Sequence, residues 1–165
     1  MMKKVVKVCF LIVGLVRQKL IGAIARLRAW ALLPDIGVGS RCPLSVDLKM
    51  PFNIRVGQRV AIGPECTIGA KEIVILEDDV RISKGVTLET ASLDLNKPVP
   101  YPHVAEPIIV RRGAWLGARC IVLGGVTIGE YAVIGAGAIV SKDIAPGEVV
   151  VAASTRVILT KPTTD

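Results

Sequence analysis

The chain has 165 residues, the length of one ordinary domain, and its 52% hydrophobic and 21% charged residues exclude a disordered chain. Only 4% of residues are aromatic while 16 are glycine and 10 are proline, which predicts many tight turns around small aliphatics rather than a helical bundle. The net charge of +7 sits in residues 1–33, which hold Lys3, Lys4, Lys7, Arg17, Lys19, Arg26 and Arg28 and no acid; the remainder is neutral, so it has no basic excess with which to bind nucleic acid.

The first segment, residues 1–34, predicts a basic helix. Val5 to Val16 is apolar except for Lys7, and Leu33-Pro34 ends the run, because proline disfavours helix in the residue before it. A bilayer-spanning helix needs about 20 apolar residues, so the run is short for that role. Met1 to Lys4 also resembles the start of a signal peptide, with Ala23-Ile24-Ala25 as a cleavage site. On a helical wheel, Val5, Ile12, Val13, Val16, Leu20, Ile24, Leu27 and Trp30 share an arc opposite the charges. That pattern suits an anionic membrane surface. A cap on the following domain is the other reading, and these alternatives stay open.

Cys9, Cys42, Cys66 and Cys120 form no CxxC pair, and with a single histidine they give no zinc signature. A reduced, cytoplasmic protein is the simpler reading.

From Asp35 onward the sequence repeats with a period of six. Val110, Leu116, Val122, Ile128, Ile134 and Val140 are six apart, and four places after each stands Ala114, Cys120, Val126, Ala132, Ala138 or Ile144. Val56, Ile62 and Ile68 keep the same frame, which a two-residue insertion shifts before Leu76, Ile82 and Leu88 resume it. Six is neither a helical period nor a plain alternation. It reads as a short strand and a turn, stacked into a solenoid with parallel strands. Cys66 and Cys120 then hold small inward positions and are core residues.

Residues 36–158, and above all Pro107 to Asp143 with AWLGARCIVLGGVTIGEYAVIGAGAIVSKD, resemble the hexapeptide-repeat acyltransferases. The nearest likeness is to the branch of galactoside, maltose and polysaccharide O-acetyltransferases. The resemblance implies an all-β, left-handed parallel β-helix of about six coils with three flat faces. It also implies a homotrimer with acetyl-CoA in the grooves between subunits and a sugar hydroxyl as acceptor, and the basic helix adds a lipid-linked glycan as the form that acceptor takes. The solenoid spans 35–158, and 159–165 form a tail. Zinc chemistry of the γ-carbonic anhydrase kind needs three histidines, and the chain has one.

Leu88 and Val110 are 22 residues apart where one repeat uses six, so a loop of about 89–107 leaves the solenoid. Pro98, Pro100, Pro102 and Pro107 block ladder pairing there. A long loop on a rigid scaffold is where function is expected. In the resembled enzymes such a loop carries a histidine general base, five residues past the aliphatic that Leu88 matches. That place is Leu93 here, and leucine cannot take a proton.

Three readings follow. His103, the only histidine, substitutes as base with Asp94 or Glu106 as its carboxylate partner. Asp94 serves alone, as a weak base. Or the chain is a catalytically inactive scaffold or partner subunit.

On the acyl-donor side the resemblance implies that Trp115 stands near the thioester arm, with the backbone at Ala118 and Ala136 against pantetheine. Ser141 and Lys142 match positions near the nucleotide phosphates, and Arg156 matches a basic residue near the 3′-phosphate. Ser154 replaces a proline that packs on the adenine. No metal is implied. Ile121, Ile139 and Val133 predict an apolar stripe on one side of the solenoid that threefold closure buries. The expected location is the inner face of the membrane, through residues 1–33.

Overall fold

A computed structural model describes residues 2–33 and 35–152, with side chains from residue 14 onward. The first element is a helix, α1, from Met2 to Leu32. It contains no proline, and Ala, Leu, Lys and Arg favour it. Among the side chains described, those of its last turns meet the rest of the chain. Ala29 and Leu33 are buried, and the Arg28 guanidinium donates to the carbonyls of Leu44 at 3.2 Å and Val46 at 3.1 Å. This end of the helix therefore caps the solenoid. Val16, Leu20, Ile24, Leu27 and Trp30 remain exposed. Among the described residues no helix is long and apolar enough to cross a membrane.

The rest is a parallel β-solenoid with three faces, as the six-residue period predicts. Face 1 stacks Ile54–Val56, Val74–Leu76, Ile108–Val110 and Thr127–Ile128. Face 2 stacks Ala61–Ile62, Arg81–Ile82, Trp115–Leu116, Val133–Ile134 and Val149–Val150. Face 3 stacks Asp47–Lys49, Thr67–Gly69, Thr87–Glu89, Ile121–Leu123 and Ile139–Val140. The chain visits the faces in that order on every coil.

The periodic aliphatics all point inward. Leu76, Leu88, Val110, Leu116, Val122, Ile128 and Ile134 are fully buried, and the smaller Val60, Val80, Cys66, Cys120, Ala114 and Ala132 fill the corners between them. Each large aliphatic contributes about 1.5–3 kcal/mol by leaving water. The corners turn sharply, with Arg59, Glu65, Asp79, Arg119 and Tyr131 in the left-handed region at φ 55 to 62.

Among the described residues there are about five coils where six were expected over residues 36–158, and Val149–Val150 stands in the coil that follows. The first coils are longer than the repeat, since Ile36, Val56 and Leu76 follow one another at 20 residues rather than 18. The extra residues collect at the corner between faces 3 and 1. The 3-10 turn Pro51–Asn53 is there, and Asn53 Nδ2 donates to the carbonyl of Ala70 at 3.0 Å in the next coil. Thr90, the one buried polar side chain described, locks the same corner: its hydroxyl donates to the Gly69 carbonyl at 2.9 Å and accepts from the Glu72 N–H at 3.1 Å.

The predicted loop leaves from this corner, and it is more regular than its prolines suggest. Ala91–Leu93 pairs with His103–Ala105 as an antiparallel hairpin. Pro98, Pro100 and Pro102 are confined to the tip and Pro107 to the exit, where no ladder bond is required of them.

Candidate active site

The hairpin register sets the geometry. Ala91 lies opposite Ala105, Ser92 opposite Val104, and Leu93 opposite His103. Backbone bonds run from Glu106 N to Thr90 O at 3.1 Å and from Asp94 N to Pro102 O at 3.0 Å. These mark the hydrogen-bonded pairs, so Leu93 and His103 form a non-hydrogen-bonded pair. In such a pair the Cα atoms are about 4.5 Å apart and the side chains are close. Both side chains are exposed on one face of the hairpin. The imidazole thus occupies the immediate neighbourhood of the position that Leu93 holds.

The other hairpin face, with Ser92 and Val104, encloses a cavity of about 170 Å³ at the hairpin base, together with Leu123, Gly124 and Ser141. Gly124 is needed there, since a Cβ would stand 2.6 Å from the Thr90 carbonyl oxygen.

Neither expected carboxylate partner of His103 is hydrogen-bonded to it among the described residues. The Asp94 carboxylate accepts the Asn96 N–H at 3.0 Å, shaping the hairpin tip, which engages one of its oxygens. Glu106 is exposed at the hairpin base, three residues past His103.

Trp115 stands on face 2, about half exposed, and its indole Nε1 donates to Ser83 Oγ at 3.1 Å. Ala118 and Ala136 are exposed neighbours at the corner between faces 2 and 3, joined by the Gly137 N–H to the Ala118 carbonyl at 2.9 Å. Ser141 and Lys142 are exposed at the other edge of face 3, on the corner from which the hairpin springs. Arg156 lies outside the described residues. The donor-side residues therefore frame the last coils of face 3, where Ile139 and Leu123 are exposed.

One expected proximity is absent within a single chain. Face 2 lies opposite the corner between faces 3 and 1, so the hairpin and Trp115 project from opposite sides of the prism. The expected apolar stripe is also divided: Ile121 and Ile139 are on face 3 and Val133 is on face 2, so it straddles the corner that holds Ala118 and Ala136. Sequence reasoning missed Ser83 as the anchor of Trp115; the two are 32 residues apart and meet only because the coils stack in register.

Cys42, Cys66 and Cys120 are buried. Burial pushes the thiols of Cys42 and Cys66 up, and that of Cys120 up to about 11. Among the described residues no group of three or more His, Cys, Asp or Glu side chains is placed to hold a metal ion.

The sequence matches the bacterial transferase hexapeptide (six repeats) family over residues 107–142 and the hexapeptide repeat of succinyl-transferase over residues 53–89. It is 33% identical to galactoside O-acetyltransferase of Escherichia coli over 108 residues, 64% of this chain and 53% of that protein. The chain spans about half the length of the curated relatives it matches. The solved structure of a galactoside acetyltransferase in complex with coenzyme A superposes with a TM-score of 0.63 at 30% identity, over 70% of this chain and 60% of that one. A hexapeptide-repeat-containing acetyltransferase of Vibrio cholerae, complexed with acetyl coenzyme A, superposes with a TM-score of 0.75 at 22% identity, over 84% and 76% of the two chains, and so shares the fold. With both halves of its solenoid matching hexapeptide repeats and its coils superposing on these enzymes, the chain is a hexapeptide-repeat, left-handed β-helix protein similar to the galactoside O-acetyltransferases.

Proposed function

We propose that the chain is an O-acetyltransferase that moves the acetyl group of acetyl-CoA to a hydroxyl of a sugar or lipid-linked glycan, with His103 as general base. The observation that carries this reading is the register that sets His103 directly across from Leu93. The imidazole takes the hydroxyl proton, the oxygen attacks the thioester carbonyl, and collapse of the tetrahedral intermediate releases the CoA thiolate, which the imidazolium reprotonates. The products are the acetyl ester and CoA. Coenzyme A in the galactoside acetyltransferase neighbour supports the choice of donor. Trp115, the backbone at Ala118 and Ala136, Ser141, Lys142 and Arg156 hold it.

The site is shared between subunits of a homotrimer. Hairpin and Trp115 face opposite ways in one chain, and a neighbour's Trp115 meets the hairpin once the faces that carry Ile121, Ile139 and Val133 are closed around a threefold axis. The enzyme lies in the cytoplasm against the inner face of the membrane. Helix α1 leaves Val16, Leu20, Ile24, Leu27 and Trp30 exposed beside the exposed Arg17, Lys19 and Arg26, as an anionic surface requires.

One observation favours the second reading, an inactive scaffold. The Asp94 carboxylate is engaged by the hairpin tip, and no described carboxylate is hydrogen-bonded to His103. Thiol release from acetyl-CoA in the presence of a panel of sugars, beside calorimetric titration with CoA, separates the two. Transfer supports the enzyme. CoA binding without transfer or hydrolysis supports the scaffold.

A further inference from the structure

The outward positions of face 2 form a column that runs Arg41, Ala61, Arg81, Trp115 from the capped end of the solenoid. Arg41 bridges to Ala61, Ala61 pairs with Arg81, and Arg81 pairs with Trp115. Successive coils are about 4.8 Å apart, so Arg81 is one step from Trp115 and the two arginines are about 10 Å from each other. We propose that this column binds an anionic group of the acetyl acceptor, a carboxylate or a phosphate, and that the acceptor is therefore an acidic glycan. The proposal rests on the transferase reading above and names its substrate class.

Four observations support it. Arg41 and Arg81 are exposed, and neither joins an ion pair among the described residues, whereas Arg55, Arg59 and Arg111 do. Asp79, whose carboxylate feels the charge of Arg81, is occupied: it takes Nε and Nη2 of Arg59 on its two oxygens, both at 2.7 Å, and this holds its carboxyl below the usual range. Ala61 leaves a gap between the two arginines, which both are long enough to reach over. Finally, Trp115 is tethered by Ser83 on the coil of Arg81, so the column leads to the residue expected beside the thioester arm before Val133 and Val149 continue it.

Guanidinium forks suit carboxylate and phosphate oxygens, and two of them around one small residue select for charge. Neutral sugars gain nothing from such a column. An acceptor held there by its charge presents a neighbouring hydroxyl toward Trp115.

The test uses the full chain and two matched pairs of probes. One pair is a glucuronate-containing oligosaccharide and its carboxyl-reduced, neutral counterpart; the other is a sugar 1-phosphate and the corresponding methyl glycoside. Affinity is read by calorimetry in the presence of CoA, and KM where turnover occurs. At least one charged probe is expected to bind ten-fold or more tightly than its neutral partner, and the pair that shows this tells carboxylate from phosphate. Arg41→Gln with Arg81→Gln should erase the difference, Arg81→Lys should keep part of it, and the affinity for CoA should not change. Equal binding of charged and neutral probes overturns the proposal. So does a loss confined to CoA affinity, which would move the arginines to the donor side. Charge-selective binding without any transfer leaves the column standing and removes the transferase reading instead.

Discussion

Leu93 and His103 face each other as a non-hydrogen-bonded pair across the extruded hairpin, so the imidazole stands directly opposite the position at which the resembled enzymes carry their base. Cross-strand neighbours place their side chains over the same patch of surface. His103→Ala should lower acetyl transfer by at least about 10²-fold with little change in CoA affinity. Moving the imidazole back, as Leu93→His in the His103→Ala background, should restore part of that loss. Full activity of His103→Ala combined with its abolition in Asp94→Asn would assign the proton transfer to the carboxylate.

The stacked core gives a stability prediction. Leu116 is fully buried in the inward row of face 2. Leu116→Ala should cost about 2–5 kcal/mol, since stacked coils collapse poorly around a cavity. Leu95→Ala, at an exposed hairpin position, should change stability by under about 0.5 kcal/mol. Chemical denaturation of both variants checks this, and equal effects would contradict the inward assignment of the row.

Alkaline pH should weaken the fold through Cys120. Burial pushes its thiol up to about 11 in the folded chain, from an ordinary thiol value of about 9. The folded state keeps its proton between those limits while the unfolded state loses it. The stability is therefore fully present below about pH 9 and falls as pH rises toward about 11, by about 1.4 kcal/mol per unit. Cys120→Ala places in this corner the residue that Ala138 already supplies one coil later, and it should flatten that part of the stability curve. An unaltered alkaline slope in Cys120→Ala would locate the titration elsewhere.

The solenoid was legible because its periodicity is local: Leu116, Val122 and Ile128 announce three strands from spacing alone, and the two-residue insertion falls after Ile68 as the frame shift requires. The hairpin was not, because four prolines argue against ladder pairing and only the register shows that they cluster outside the paired residues. Closeness along the chain also misled. Val110 leads directly from the loop to Trp115, which suggests that His103 and Trp115 are near each other. Yet five residues after Val110 the strand is already on face 2, across the prism from the hairpin. The side-chain partner of Trp115, Ser83, comes from the coil before, 32 residues away, at a distance no short window reads.

Helix α1 should act independently of the chemistry. Deleting residues 1–33 should release the protein from vesicles containing anionic lipid, whereas binding of the full chain should weaken steeply with salt. Leu20→Glu with Leu27→Glu should do the same while leaving the solenoid intact, because both side chains are exposed. Retention of the doubly substituted protein on vesicles would show that the apolar arc is not what touches lipid.

The opposed directions of hairpin and Trp115 make a shared site directly testable by mixing subunits. His103→Ala and Trp115→Ala each remove one half of the site. If both halves belong to one chain, co-expressing the two variants restores nothing, since every chain lacks one half. If the hairpin of one subunit meets Trp115 of the next around a threefold axis, an interface is intact whenever the Trp115→Ala chain supplies the histidine and the His103→Ala chain supplies the tryptophan. Random assembly at equal expression makes about a quarter of the interfaces intact, so the mixture should recover about a quarter of wild-type turnover. Light scattering on the same sample should give a trimer mass. A monomer mass, or a mixture no more active than its two parents, would remove the shared site and with it the account of how His103 reaches the thioester.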